Sequence, residues 1–261
     1  MTLDFKALRA KLNSFKGVND RQAALWRPVE GKQTVRIVPW KEDASMPFIE
    51  LHFHYLGSKT YISPISNGER DPIAEFADKL RADGTKESYN QSRQFLPKLR
   101  TYVPVIVRGE EEKGVRFWSF GKTVYEELLG IIEDPDYGDI TDVTEGRDIV
   151  VDYTPKDKSD TNFAKTAIRA KPSVSAASDN AATVELWLST QPDIKEIYKV
   201  PTYAELQAVL EQFIDHDVTP IGVTVSESDV VPGAMTQKVA AEETVAKKMT
   251  EQFDTLFDED K

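Results

Sequence analysis

The fold of this chain is decided by residues 98–122, which read KLRTYVPVIVRGEEEKGVRFWSFGK. The first part, 101–108, is apolar and β-branched, and the last part, 115–120, has a strand-like alternation, so both are predicted to be strands. A turn of three glutamates and a lysine between two glycines joins them. Pro104 indicates that the first strand lies at a sheet edge. The stretch therefore predicts a β-hairpin, around which the other elements are placed.

The second predicted strand sorts its side chains onto two faces, because successive residues of a strand point to opposite sides. Arg116, Trp118 and Phe120 share one face. Cations neutralise phosphates and aromatic rings stack on bases, so this face suits a single strand of nucleic acid. The alternative is that Trp118 and Phe120 are core residues of an ordinary sheet. The pattern alone leaves both interpretations open.

The composition limits the classes of protein that the chain can belong to. It holds 33 basic and 44 acidic residues, a net charge of −11, which argues against general coating of duplex DNA. It has no cysteine, which excludes disulfides, thiol catalysis and cysteine-ligated zinc. Neither a membrane-spanning run nor a signal-peptide pattern is found in the sequence. A soluble intracellular protein is therefore expected.

Local signals predict the remaining elements. Asp71 followed by Pro72 suits a helix start, and Thr202 with Glu205 forms a capping box for a helix that ends near residue 217. Polar composition predicts loops over 81–94 and 156–171. Further strands are predicted at 33–38, 48–56, 59–63 and 147–153, a further helix at 122–132, and a flexible connector at 173–180.

The two ends of the chain differ from its middle. Apolar residues recur at helical spacing over 2–16, with Lys6, Arg9 and Lys11 around them. This is either a peripheral helix packed on its own core or a basic arm that docks onto a neighbouring copy. Residues 218–261 predict a linker and an acidic tail, which is usually disordered. The alternative is that the tail works as a docking peptide or as a mimic of a nucleic-acid backbone.

Catalytic motifs are missing from the sequence. No phosphate-binding glycine loop and no nucleophile elbow is present, and nothing pairs the carboxylates into an acid–base dyad. The acidic clusters at 110–112 and 134–139 lie in predicted turns, which argues against a magnesium-dependent nuclease. His52 and His54 share a strand face without further ligands at zinc-like spacing, so partly exposed structural histidines are expected. These observations favour a binding protein over an enzyme.

Several stretches, taken in order, resemble the single-stranded-DNA-binding, helix-destabilising (gene-thirty-two-like) proteins of T-even-type phages. The likeness covers most of the chain and rests on the order and spacing of the stretches, each of which is weak alone. They are 7–13 (ALRAKLN), 35–39 with 47–48, 59–62, 116–122 with its Phe-Gly-Lys ending, 162–163, 202–213 and the acidic tail.

The resemblance implies an α+β protein with an oligonucleotide-binding (OB) fold, a Greek-key β-barrel with peripheral helices, as the core. It divides the chain into an N-terminal basic arm for self-association at 1–21, a DNA-binding core at 22–217 and a disordered acidic tail at 218–261. The arm would make binding cooperative between neighbouring copies, and the tail would contact replication and recombination proteins. Repair, and a location in the cytoplasm of the infected bacterial host, are implied with them.

The main difference between this chain and the family lies in the family's zinc subdomain. His54 matches the family's histidine, but Asp71, Pro72, Ile73 and Ala74 stand where the family has Cys-Pro-x-Cys. We therefore expect no cofactor and a zinc-less subdomain near 52–95, in which apolar packing by Ile73, Phe76 and Leu80 replaces the metal. The arm departs too, since the family's compact basic cluster is missing and the cations are spread along the predicted helix.

Residue pattern and resemblance together predict a cleft for single-stranded DNA. Carried over by position, Trp118, Phe120 and Phe163 match aromatic residues of the family and Lys122 a basic one, while Tyr102 lies near an aromatic pair. The predicted DNA-binding residues are Lys59, Tyr61, Tyr89, Arg93, Lys98, Arg100, Tyr102, Arg108, Arg116, Trp118, Phe120, Lys122, Phe163, Lys165, Arg169 and Lys171. Lys6, Arg9 and Lys11 are predicted for self-association, and Phe253, Asp254, Leu256, Phe257 and Asp258 for partner binding.

A protein-interaction scaffold is the alternative to DNA binding. In that interpretation the aromatic face is core, and the acidic tail is the working part of the protein.

Overall fold

A computed structural model describes residues 23–161, 163–217, 249, 252–253 and 255–257. Within them the chain forms two compact units. The first comprises the described residues up to Leu51 together with Leu99–Tyr198, and the second comprises His52–Lys98 and the described residues from Lys199 onward. No helix among the described residues is long and apolar enough to cross a membrane.

A sheet carries the first unit. Its strands follow one another in the order β1-β6-β5-β2-β7-β8, and every neighbouring pair is antiparallel except β1 and β6. Their bounds are Leu25–Trp26 (β1), Gly31–Ile37 (β2), Lys98–Val107 (β5), Arg116–Phe120 (β6), Arg147–Thr154 (β7) and Lys165–Val174 (β8).

The sheet's inner face holds the main core of the first unit. Val35 and Ile37 from β2, Val103 and Val105 from β5, and Trp118 from β6 are 0–1% exposed. The same cluster includes Leu128 of helix α3 (Lys122–Glu133), whose predicted counterpart spans 122–132. These residues alternate along their strands, so one face of each strand supplies the core.

The opposite face of the sheet is partly covered as well. Helix α4 (Ala181–Ser189) brings Trp187 against Val38, Ile106, Val115 and Ala177. A short helix, α5 (Ile194–Ile197), follows it. Strands β5 and β6 are therefore buried on both sides, and only the part of the sheet farther along β7 and β8 keeps an open outer face.

The hairpin prediction is confirmed, but its first strand is not an edge. Strand β5 lies between β6 and β2. Pro104 is tolerated there because β2 pairs only with Val105–Val107, and beyond it the carbonyl oxygen of Pro104 accepts a hydrogen bond from the N–H of Val38.

The second unit combines a hairpin with helices. Strand β3 (Ile49–Leu56), whose last five residues belong to this unit, pairs in antiparallel register with β4 (Lys59–Ile62), with Leu56 opposite Lys59. Three helices follow, α1 (Pro72–Ala82), α2 (Lys86–Phe95) and α6 (Tyr203–Asp217). Their apolar residues form a cluster with Ile73, Phe76, Leu80, Phe95, Leu206 and Leu210 at 0% exposure.

Two helix starts in this unit follow from local side-chain chemistry. The Asp71 carboxylate accepts hydrogen bonds from the N–H groups of Ile73 and Ala74, which leaves two fewer unsatisfied donors at the start of α1. The Glu205 carboxylate accepts from the Thr202 N–H at 2.8 Å, and the Thr202 hydroxyl accepts from the Glu205 N–H at 3.3 Å. Both predicted starts are confirmed.

Two predicted loops are wrong. Residues 86–95 form helix α2, because Thr85 caps Ser88 and Phe95 is fully buried although the rest of the segment is polar. Residues 165–174 form strand β8 rather than a loop or connector. Its inward side chains are Thr166, Ile168 and Ala170, a weak apolar signal that composition alone does not reveal.

Part of the acidic tail is structured. Met249, Gln252, Phe253 and residues 255–257, here called the tail segment, are helical. Met249 is 6% exposed and Phe253 9%, and both belong to the apolar cluster of the second unit. For these residues the expectation of a disordered tail is wrong, because four apolar side chains at helical spacing find an apolar surface.

Several predictions for the two ends of the chain concern residues that the structure does not describe. Lys6, Arg9, Lys11, Asp254 and Asp258 lie outside the described residues, as do the helix predicted at 2–16 and the linker predicted from 218. The boundaries at residues 21 and 217 stay predictions. The predicted subdomain at 52–95 falls within the second unit.

The α+β class is confirmed: the described residues form a largely open, mostly antiparallel sheet with several helices. Closure of the sheet into a Greek-key OB barrel stays a prediction.

A substitution at Gly146 tests the close backbone packing of the turn that leads into β7. Its N–H donates to the Asp142 carbonyl and its carbonyl accepts from the Ser175 N–H, and a Cβ would collide with the Asp142 oxygen and lie 2.8 Å from that of Ile140. We expect Gly146→Ala to lower the free energy of unfolding by about 1–3 kcal/mol, measured by urea unfolding followed by circular dichroism.

Gly130 supplies the matched control. It lies in α3 with no atom within 4 Å of the position that an added Cβ would take, so Gly130→Ala should raise stability by about 0.5–1 kcal/mol through helix propensity. Equal effects of the two substitutions would contradict the steric account of the turn.

Candidate nucleic-acid interface

The aromatic face predicted on β6 lies inside the protein. Trp118 is 1% exposed and Phe120 4%, and Trp118 packs edge-on against Trp26 with ring centroids 5.7 Å apart. The rings of Trp118 and Phe120 also contact each other at 4.7 Å. A sealed ring has no face to offer a base, so the assignment of Trp118 and Phe120 to an open stacking surface is corrected: they are core residues, as the alternative interpretation had it.

Three further residues of this hairpin that were predicted to bind DNA also make contacts inside the protein. Tyr102 is 4% exposed, and its hydroxyl donates to that of Tyr198 at 3.0 Å. The side chain of Arg116 is 10% exposed and donates to Glu110 at 2.6 Å. The Arg108 guanidinium pairs with Asp148 at 2.9 Å. Both faces of the sheet are covered here, so these side chains pack and form pairs inside the protein and do not face solvent.

Strand β8 carries a row of exposed cations. Along the strand, Lys165, Arg169 and Lys171 are exposed, whereas Thr166, Ile168 and Ala170 are half-buried, with Ile168 and Ala170 against the core. The period of two places the three cations on one face. This is the outer face of the sheet, where the register sets Lys165 opposite Thr154 and Arg169 opposite Val150.

Asp148 organises the charges beside that face. Its carboxylate accepts from Arg36 Nε at 3.0 Å and from Arg108 Nη2 at 2.9 Å, and the Lys171 ammonium lies 3.6 Å away. Burial raises the pKa of the Asp148 carboxyl, but the hydrogen bonds and positive charges of Arg108 and Arg36 outweigh burial, so its pKa lies below the ordinary value. The side chain is therefore a carboxylate at neutral pH.

The remaining donors of the two arginines hold the chain after β8. Arg36 donates to the carbonyls of Asp142 and Ser175, and Arg108 donates to the carbonyls of Ala176 and Ala177. Arg108 is therefore a structural residue with a side chain 22% exposed, not a freely extended phosphate ligand.

The outer face of β2, β7 and β8 has a surplus of positive charge. On the outward positions of these three strands five cations stand against two acids, Asp148 and Asp152, which gives a surplus of three on a chain whose net charge is −11. Asp152 is already faced by Lys32 at 3.9 Å. The five cations are Lys32, Arg36, Lys165, Arg169 and Lys171.

Phe163 lies in the loop between β7 and β8. Its side chain is 75% exposed, the largest fraction among the exposed large apolar residues of the described chain. Lys156 and Lys158 precede it in a short 3-10 helix, and Lys165 follows it in β8. An exposed aromatic ring among cations is an arrangement that can stack on a base while its neighbours meet phosphates. We call Phe163, Lys165, Arg169 and Lys171 the β8 track.

The other predicted residues of the first unit are more isolated. Arg100 is half-buried in β5, and Lys122 begins helix α3 with its side chain 77% exposed, 3.4 Å from Glu126.

The second unit holds its own pairs of cations and aromatic rings. Tyr89 is 52% exposed on α2, with the Arg81 guanidinium 5.9 Å from its ring centre, and Arg93 is exposed one turn further. The Lys98 ammonium lies 5.8 Å from the ring centre of Tyr55, which is 40% exposed. Lys59 is exposed at the start of β4, whereas Tyr61 packs against the apolar cluster.

Sequence reasoning missed several residues of these surfaces. Lys32 was overlooked because it stands at the start of a strand chosen for its apolar residues, and Tyr55 because its neighbours are histidines and leucines. The alternation of β3 was the available signal for Tyr55. The role of Asp148 had no local signal, because its partners lie 112 and 40 residues away.

The position of the family's zinc ligands holds a buried hydrogen-bond network. His54 Nε2 and Asp71 Oδ2 lie 2.8 Å apart, the Ser63 hydroxyl donates to the same oxygen, and the side chains of His54 and Asp71 are 0% exposed. Over the described residues no group of three or more histidines, cysteines or acids could hold a metal ion. This donor set, with no thiolate and with Asp71 also capping α1, does not fit a zinc site.

A model of a known protein family matches most of the chain. The family model described as gp32 DNA binding protein like matches residues 29–214, well over half of the chain. The chain belongs to this family. Membership carries single-stranded DNA binding as the general activity, and the family is one of binding proteins and not of enzymes. No curated protein sequence matches the chain.

Substitution of Trp118 tests the corrected assignment. Because the ring is core, Trp118→Phe should lower the free energy of unfolding by on the order of 1–3 kcal/mol and leave the affinity of the folded protein for oligo-dT unchanged. Urea unfolding and fluorescence anisotropy of labelled oligo-dT measure the two quantities. A variant of normal stability with weakened DNA binding would restore Trp118 to the interface.

The Asp71 network is tested by pH and by substitution. Burial raises the pKa of the Asp71 carboxyl, but hydrogen bonds from His54, Ser63 and the Ala74 N–H, with the charge of His54, hold it below its ordinary value of 3.8. Its stabilising effect is thus fully present above pH 3.8 and is lost as the pH falls through the lower folded-state pKa.

We expect Asp71→Asn to lower the free energy of unfolding at pH 7 by about 3–5 kcal/mol, and by less at pH 3. Asp78→Asn is the control, since its side chain is 76% exposed on the same helix. An Asp71→Asn penalty that does not change between the two pH values would show that the carboxylate charge contributes nothing.

Proposed function

We propose that the chain coats single-stranded DNA without sequence preference and that the β8 track is its contact surface in the first unit. The observation that carries the proposal is the alternation of β8, which presents three cations outward beside the 75%-exposed ring of Phe163. Alternate residues of a strand lie about 6.6 Å apart, so the cations form a row rather than a point. Such a row suits a polyanion.

Selectivity for single strands follows from the ring. In a duplex the base faces are stacked on each other, whereas a single strand can offer one base face to Phe163. The cations then neutralise the phosphates on either side of the stacked base, and each phosphate contact releases counterions. No base edge has to be read, which accounts for tolerance of sequence.

The second unit would bind single-stranded DNA with pairs of its own. Tyr89 with Arg93, and Tyr55 with Lys98, each combine an exposed ring with a cation. Lys59 of the second unit, and Arg100 and Lys122 of the first, are exposed or half-buried and would add charge. The buried residues Tyr102, Arg116, Trp118 and Phe120 are left out of the proposed surface.

The biological setting follows from the family resemblance. We propose roles in phage DNA replication, recombination and repair in the cytoplasm of the bacterial host. Lys6, Arg9 and Lys11 would contribute to contacts between neighbouring copies, and Phe253, Asp254, Leu256, Phe257 and Asp258 to contacts with replication and recombination proteins. A metal cofactor is not expected to take part.

The experiment compares two exposed apolar residues of the first unit. Phe163→Ala should weaken binding to oligo-dT by roughly 5- to 150-fold, the equivalent of about 1–3 kcal/mol for one stacked base. Leu186→Ala is the control, because Leu186 is 58% exposed on α4, away from the track in the chain. Anisotropy of a labelled oligonucleotide gives both affinities.

The charge part of the proposal has its own comparison. Arg169→Ala should reduce the slope of log affinity against log salt by about 0.7 for one lost phosphate contact. Lys113→Ala, an exposed cation in the turn before β6 that is paired with Glu110, should leave the slope unchanged. If Phe163→Ala and Arg169→Ala both bind as the unsubstituted chain does, the β8 track is not the contact surface. If the unsubstituted chain does not bind oligo-dT, the scaffold alternative stands.

A further inference from the structure

An accessible acid lies on the cationic face beside the β8 track. Asp152 takes an outward position of β7, and its side chain is 43% exposed, whereas that of Asp148 is 9% exposed. The charge of Asp148 is used inside the protein, because two arginines bind it. The carboxylate of Asp152 faces whatever binds to the sheet, and it repels any phosphate that comes close.

The strand register determines the neighbours of this carboxylate. Asp152 lies opposite Lys32 of β2 on one side and opposite Ala167 of β8 on the other. The Lys32 ammonium is 3.9 Å from the carboxylate, which is beyond hydrogen-bond distance, and its side chain is 68% exposed. Within the described part of the chain neither side chain makes a hydrogen bond. Both groups therefore keep their hydrogen-bonding capacity for a ligand.

Ala167 interrupts the row of cations on β8. It is exposed and lies midway between Lys165 and Arg169, whose backbones are about 13 Å apart at about 3.3 Å per residue. We call the space over the Ala167 methyl group, between these two cations, the Ala167 gap. Neighbouring strands are only about 4.8 Å apart, so a base that lies flat in the gap turns one edge toward Asp152.

The charged pair at that edge matches the hydrogen-bonding pattern of guanine. The Watson–Crick edge of guanine presents one acceptor, O6, and next to it two donors, the N1–H and the 2-amino group. A carboxylate can accept from both donors while an ammonium donates to O6. Adenine, cytosine and thymine each present one donor group on this edge. The edge is free in an unpaired strand and occupied in a duplex, so the match applies to single strands.

We propose that Asp152 and Lys32 bind the Watson–Crick edge of a guanine base held in the Ala167 gap, which makes guanine-containing single strands the preferred ligands. The row of cations still binds the phosphates of any sequence, and any base can enter the gap. Guanine alone gains the second hydrogen bond to the carboxylate. The inference rests on the proposed function, because it requires the strand to lie along the β8 track.

The test compares two labelled oligo-dT strands that differ by one amino group. One carries a central dG, and the other carries deoxyinosine (dI) at the same position, which has O6 and N1–H but lacks the 2-amino group. The dG strand should bind the full chain about three- to tenfold more tightly, the effect of one hydrogen bond at an accessible site. Fluorescence anisotropy measures both affinities.

Substitution of Asp152 assigns the difference to its carboxylate. In Asp152→Asn the ratio of the two affinities should fall to about one, because the amide group turns a donor toward one of the guanine donors. Asp157→Asn is the matched control, since it removes the same charge from the exposed 3-10 helix between β7 and β8 and should keep the ratio.

Two further variants test the geometry without changing the carboxylate. Ala167→Val fills the gap and should lower the ratio toward one. Lys32→Ala should weaken binding of the dG and dI strands equally, because both bases have the O6 that the ammonium binds, so the ratio should stay unchanged.

The outcomes separate this inference from the proposed function. Equal affinity of the unsubstituted chain for the dG and dI strands would overturn the inference. A ratio that persists in Asp152→Asn, with native circular dichroism, would also overturn it. In both cases binding of oligo-dT and its loss in Phe163→Ala would still support the β8 track. Absence of binding to every oligonucleotide would overturn the proposed function and this inference together.

Discussion

The Asp148 carboxylate forms salt bridges that link neighbouring strands of the first unit. Asp148 on β7 binds Arg36 from β2 and Arg108 from the end of β5, and Lys171 of β8 lies beside it. A buried pair of this kind is stabilising only if its other donors are satisfied, and here they reach the carbonyls of 142 and 175–177. Four strands and the segment leading to α4 thus depend on one side chain. One carboxylate neutralises only one of its three neighbouring cations. Positive charge therefore remains at the open part of the sheet.

The division between covered and open sheet decides where a ligand can bind. Strands β5 and β6 have the main core on one face and α4 with its neighbours on the other, so their aromatic and cationic residues are used for packing and pairing. Strand β8 has core contacts on one face only, and its other face keeps the cations in solvent. The cations and rings that the first unit leaves exposed are therefore not the ones whose residue types look most suitable in the sequence.

The elements that sequence predicted well are those with local causes. Asp71 with Pro72, and Thr202 with Glu205, satisfy helix-end donors within four residues, and the structure has both contacts. Helix α2 and strand β8 were not predicted because their inward residues, such as Ser92 and Ala170, carry little apolar signal. For Trp118 the alternation of the strand correctly predicted which residues share its face. It could not predict that this face is buried, since alternation does not show which side of a sheet is covered. That information lies in β1 and β2, which cover Trp118 and are far away in the chain.

Strand β8 ends the order of strands, with β7 as its neighbour among those described, and so it is an edge with backbone groups open on one side. An open edge invites pairing with the edge of another molecule, which leads to aggregation. The alternating lysines and arginine repel a second copy of the same strand, and Pro172 removes one donor from the edge. The residues proposed to attract phosphates would thus also keep copies from joining edge to edge when they are crowded along a common strand, so that solubility and affinity are supplied by the same side chains.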